Sequence, residues 1–158
     1  MAEPLADQII RKSKQASDLY HRLLLVVAPK GAGKTRALHE VRDRTGAPLI
    51  NINLELSRKM LELSERQRVL HLPFLLREIV DNNDGEVVLL DNIEVLFDVV
   101  LRQDPLRLLQ MLSRNKTLVC AWNGSIVYES LTYAAPNHPE YRRYPMHDIL
   151  VVSPEVLA

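Results

Sequence analysis

Short apolar runs alternate along this chain with longer stretches in which apolar residues recur at three- and four-residue spacing. The runs are Leu23–Ala28, Leu49–Asn53, Glu86–Asp91, Thr117–Asn123 and Asp148–Ser153. Each is nearly all apolar rather than alternating, as expected of strands buried on both faces. The pattern predicts an α/β fold with five parallel strands covered by helices on either side.

The helical stretches fill the gaps. Leu5, Ile9, Ile10 and Leu19 make one face of an N-terminal helix, and Lys34 to about Arg44 follows the first strand. A long region from Ser57 to Val80 reads as two pieces, with Ser64 and Gln67 forming a capping box and Pro73 disfavouring a continuous helix. Asp104-Pro105 opens another helix, Asp as cap and Pro in the first position, carrying Leu106, Leu108, Leu109 and Leu112. From Gly124 to Pro145 the chain is least regular.

Composition narrows this picture. The 158 residues suit one domain, read as an N-terminal helix within 1–22 and an αβ core over 23–153. Twenty basic residues balance twenty acidic ones, so no net charge draws the molecule to nucleic acid or membrane. Cys120, the one cysteine, lies in an apolar run and reads as a core residue. No start resembling a secretory signal and no membrane-length apolar stretch is present, which predicts a cytoplasmic protein. The five histidines have no metal-ligand spacing.

The candidate chemistry begins at the end of the first strand. Ala28-Pro29-Lys30-Gly31-Ala32-Gly33-Lys34-Thr35 has the form of a Walker A loop, with Ala28 where the usual pattern has glycine. Its glycines let successive N–H groups turn toward phosphate oxygens, and the helix that follows adds its positive end. Pro29 through Arg36 are the expected nucleotide contacts. Among them Lys34 reaches the terminal phosphates of ATP and Thr35 ligates Mg²⁺. Val87-Val88-Leu89-Leu90-Asp91 has the Walker B form, an apolar strand ending in the acid that holds the metal's water shell. The next residue is Asn92, which cannot take a proton, so Glu94 becomes the expected activator of water. Asn123, at the end of the fourth strand, is either a γ-phosphate sensor or half of an Asn-Gly turn. Arg142 and Arg143, before the last strand, read as an arginine finger across a subunit interface or as an exposed basic pair. Arg114 and Lys116 form a second, equally ambiguous basic spot, and neither cluster is dense enough to assert DNA binding.

The loop, Asp91, Asn123 and the Arg142/Arg143 pair fall in the order of an AAA+ ATPase core. Over nearly its whole length the chain also resembles the BrxF family, small P-loop proteins of type III bacteriophage-exclusion systems. Ala121-Trp122-Asn123-Gly124-Ser125 and Tyr141-Arg142-Arg143-Tyr144 are the particular parts of that likeness. The resemblance implies a three-layer, AAA+-like P-loop core with strand order 5-1-4-3-2; the chain departs from full AAA+ proteins by ending shortly after the fifth strand, so no C-terminal helical lid is expected. It further implies a homo-oligomeric ATPase supporting phage defence beside a larger ATPase and a DNA methyltransferase. The alternatives are a non-hydrolysing ATP-dependent scaffold and a small-molecule P-loop kinase.

Overall fold

The computed structural model describes residues 3–154. Leu5–Ala16 forms α1, Leu23–Ala28 β1, Lys34–Thr45 α2, Leu49–Asn51 β2, Ile52–Met60 α3 and Glu65–Asp81 α4. Val87–Asp91 forms β3, Pro105–Leu112 α5, Thr117–Val127 β4, Ser130–Tyr133 β5, Arg142–Pro145 β6 and Leu150–Val152 β7. Two 3₁₀ turns, Glu94–Phe97 and Val99–Leu101, lie between β3 and α5.

The five expected strands pair in the order β2-β3-β4-β1-β7, all parallel. In the sequence-based numbering that is 2-3-4-1-5, the expected order read from the other edge. Alternate residues of β1 explain the layering. Leu24 and Val26 pack with Ile9 of α1 and Leu38 and Val41 of α2. Leu23, Leu25 and Val27 face the opposite core, built on Leu56 of α3, Leu72 and Leu76 of α4 and Leu109 of α5. Every residue of β1 is buried, so polar substitution there has no tolerant face. Cys120 is fully buried between Leu25 and Leu90 in the middle of β4.

Three expectations need correction. The third helix begins at Ile52, not Ser57, because Asn51 caps it, its side chain accepting from the Leu54 N–H. The Ser64–Gln67 capping box forms, but Pro73 does not interrupt α4. A helical proline strands the carbonyl four residues earlier, here that of Val69. The Gln103 side-chain amide donates to that carbonyl at 3.0 Å.

The third correction lies in the region that looked irregular. β4 does not stop at Asn123 but continues to Val127, and β5 and β6 follow as antiparallel strands, giving a seven-stranded sheet. Gly124 is not part of a turn. A side chain there would place its Cβ 1.8 Å from the Thr132 carbonyl oxygen, so the close pairing of β4 with β5 requires glycine.

Candidate functional site

The loop between β1 and α2 takes its shape from two glycines. Gly31 and Gly33 have φ of +83° and +93°, and Gly33 caps α2 in the left-handed conformation. No side chain caps α2, so its first N–H groups point out of the helix without an intrahelical acceptor. The loop thus presents donors and a positive dipole end to the space above it.

That space is a cavity of about 310 Å³, walled by the loop on one side and by Asp91, Asn92, Glu94 and Asn123 on the other. Lys34 is buried, and its ammonium donates to the carbonyls of Ala28 at 2.7 Å and Pro29 at 2.8 Å. Burial lowers its pKa, and the nearby charges of Asp91 and Glu94 act in the opposite sense. A desolvated cation held by carbonyls alone is well suited to exchange them for an anion.

The Thr35 hydroxyl donates to Asp91 Oδ2 at 2.7 Å. The other carboxylate oxygen, Oδ1, accepts from the Asn92 N–H at 2.8 Å, which fixes the rotamer. Among the described residues no cluster of three His, Cys, Asp or Glu side chains is available to hold a metal. One hydroxyl and one carboxylate with open space above them fit Mg²⁺, which keeps most of its ligands as water and phosphate.

Asn92 has φ of +55°, a left-handed conformation that asparagine tolerates better than most non-glycine residues. Its carbonyl accepts from the Asn53 N–H at 2.9 Å, anchoring β3 to the start of α3. The backbone then enters the 3₁₀ turn that carries Glu94. Asn123 Nδ2 donates to Glu94 Oε1 at 2.9 Å, so the two meet at the cavity wall. An aromatic cluster holds the turn in place. Phe97 stacks on Tyr133 at 3.4 Å between centroids and meets Trp122 edge-on at 5.2 Å. The Trp122 indole N–H donates to the Thr132 carbonyl at 3.0 Å. Glu94 is therefore placed by the packing of Phe97 three residues away.

Lys30, Gly31, Gly33, Lys34, Thr35, Arg36, Asp91, Glu94 and Asn123 are thus gathered around one cavity. Pro29 contributes its carbonyl to Lys34, and Ala32 shapes the loop, its N–H donating to Pro29 O at 3.3 Å. The arginine pair is elsewhere. Arg142 donates to the Gln103 carbonyl at 2.6 Å, and Arg143 Nε donates to Ser130 Oγ at 3.0 Å. Both sit on β6, so consecutive side chains point to opposite faces. Arg143 lines a second cavity beside the loop, and Arg142 lies on the side of Tyr144 and Asp104. Of the other basic spot, Arg114 stacks over Tyr20 at 4.3 Å and Lys116 donates to the Val80 and Asn83 carbonyls at the C-terminal end of α4.

Sequence reasoning missed Gln103, which serves both α4 and Arg142, and the cavity beside the loop. The alternation Tyr141/Arg143 against Arg142/Tyr144 was the available signal, once the segment is read as a strand.

No protein-family model matches the sequence, and no curated protein matches it. Among solved structures, PCH-2 of C. elegans is similar at a TM-score of 0.41 and 17% identity, covering 94% of this chain and 40% of that one. The chain thus spans about two-fifths of the length of PCH-2. No helix of the described residues is long and apolar enough to cross a membrane.

Proposed function

We propose that this protein binds ATP with Mg²⁺ at the loop Pro29–Arg36 and hydrolyses it, as an AAA+-like P-loop ATPase. One observation carries the reading: the Thr35 hydroxyl and the Asp91 carboxylate, from separate motifs, meet at 2.7 Å beside an open, glycine-shaped loop. Bound Mg²⁺ would draw charge from the terminal phosphates. Lys34 releases its two carbonyls to pair with phosphate oxygens, while the uncapped N–H groups of α2 hold the chain of phosphates in place. Asp91 orients Thr35 and the metal's water. Glu94 accepts the proton of the attacking water, and Asn123, bonded to that carboxylate, fixes where the water stands.

Assembly into a homo-oligomer and a part in phage exclusion, beside a larger ATPase and a methyltransferase, rest on the sequence resemblance alone, of which Ala121–Ser125 and Tyr141–Tyr144 are the most particular parts. The arginine-finger role has no support from the hydrogen bonds of Arg142 and Arg143, which serve their own chain.

A second reading, an ATP-dependent scaffold without turnover, is favoured by one detail: the Glu94 carboxylate is already occupied by Asn123. Calorimetric titration of ATP–Mg²⁺ into wild type and Lys34→Ala tests the binding. Loss of a charged contact to phosphate should weaken affinity by about 10²-fold. Equal affinity in the two proteins would overturn the assignment. Steady phosphate release by the wild type would eliminate the scaffold.

A further inference from the structure

The larger cavity beside the loop, about 590 Å³, is within the usual range of about 300–1,000 Å³ for ligand sites. It shares Lys30 and Asn123 with the phosphate cavity, and its far wall comes from the β5–β6 hairpin. Three donors line it. Arg143 spends only Nε on Ser130, leaving the outer guanidinium nitrogens available. Among the described residues the Lys30 ammonium and the Tyr141 hydroxyl have no polar partner. Among the described residues no acidic side chain lines the cavity to neutralise these cations.

The remaining wall is of a different kind. Ala135, Pro136 and the Tyr141 ring supply flat apolar surface. The Thr132 and Ser125 hydroxyls, 3.1 Å apart, give a small polar edge between them and the loop. Two cations and a phenol among the lining residues suit a phosphate, and the ring and proline suit an unsaturated planar ring. An inorganic anion would leave the apolar wall wet, and a neutral ring would leave the cations unpaired.

We propose that this cavity is a second ligand site, for a nucleoside monophosphate whose phosphate meets Lys30 and Arg143 and whose base lies along Tyr141 and Pro136. The site shares Lys30 and Asn123 with the proposed ATP site, but neither Lys34 nor Asp91 lines it. It places the second ligand next to the phosphate cavity, with Lys30 between the two.

The test titrates AMP, CMP, GMP and UMP, with inorganic phosphate and adenosine as controls, into the full-length Lys34→Ala protein, in which the loop competes far less. At least one mononucleotide is expected to bind at least tenfold more tightly than phosphate or adenosine. Arg143→Ala should weaken that binding at least tenfold, and Arg143→Lys should restore part of it. Ala135→Trp, which fills the cavity and leaves the charges untouched, should also abolish it. Arg143 and Ala135 are both exposed, so both variants should fold. Binding of phosphate as tight as that of the mononucleotides would reduce the site to a charged patch and overturn the proposal. So would binding indifferent to both Arg143→Ala and Ala135→Trp, or no binding at all. Failure of ATP to bind the wild type, with mononucleotide binding intact, would instead count against the ATP reading alone.

Discussion

The Thr35 hydroxyl and the Asp91 carboxylate lie 56 residues apart in sequence and 2.7 Å apart in space. β1 and β3 both pair with β4, and α2 starts just beyond β1, so sheet order brings the hydroxyl to the acid. With a metal present, both groups would turn their oxygens to it or to its water. Thr35→Ser should keep the Mg²⁺ dependence of ATP affinity, and Thr35→Ala and Asp91→Asn should lose it. Titrations with and without Mg²⁺ check this; an unchanged metal effect in Asp91→Asn would contradict it.

Glu94→Gln should retain ATP binding and lower turnover by about 10²-fold or more, the scale of general-base help. Asn123→Ala should also slow turnover, because Glu94 loses the partner that holds its carboxylate. The check is phosphate release under saturating ATP. A silent Glu94→Gln would move the water-activating role elsewhere.

Position 92 follows the acid of β3, where a glutamate would be the direct base. The backbone explains its absence here. At φ of +55° a longer side chain with no local hydrogen bond is disfavoured, by about 1 kcal/mol. Asn92→Glu should therefore lower the urea midpoint without raising turnover, and Asn92→Gly should fold with little change.

Lys34 links stability to pH. Burial lowers its pKa below the ordinary 10.5, so as pH rises toward that value the folded state loses the proton first. There the unfolded chain binds more protons, and stability rises with pH. Below the folded-state pKa both states carry the charge and the burial cost is full. Lys34→Met removes the titration. Its stability relative to wild type should be highest at neutral pH and should decline toward pH 10.5, measured by urea unfolding of both proteins. A difference that does not vary with pH would show that Lys34 is not desolvated.

The parallel strands and the glycine-rich loop after β1 were legible because burial on both faces removes polar residues from β1, β3 and the first half of β4. A run such as Leu23–Ala28 has few other places to go. The hairpin was not legible. β5 and β6 are four residues each, too short for alternation to stand out, and the stretch between them holds prolines. Asn123-Gly124 carries a strong turn signal, yet Gly124 answers to the Thr132 carbonyl from a later strand. Pro73 likewise reads as a break unless Gln103, thirty residues on, is known to meet the Val69 carbonyl. At the site, the residue types around the loop were visible from motif spacing. The Glu94–Asn123 bond was not, since it depends on the packing of Phe97 against Trp122 and Tyr133.

Cys120 sits at zero exposure in the strand that every part of the sheet leans on. Burial pushes its thiol pKa up, so the reactive thiolate is scarce while the fold is closed. An alkylating reagent reaches the sulfur only when the core on that face of the sheet, which Cys120 shares with Leu72 and Leu76 of α4 and Leu109 of α5, opens. The same core holds Phe97 and Trp122, whose packing sets the turn that carries Glu94. The chain's one sulfhydryl is therefore a built-in stopwatch: its labelling rate times the opening of the core that holds the site's turn in place.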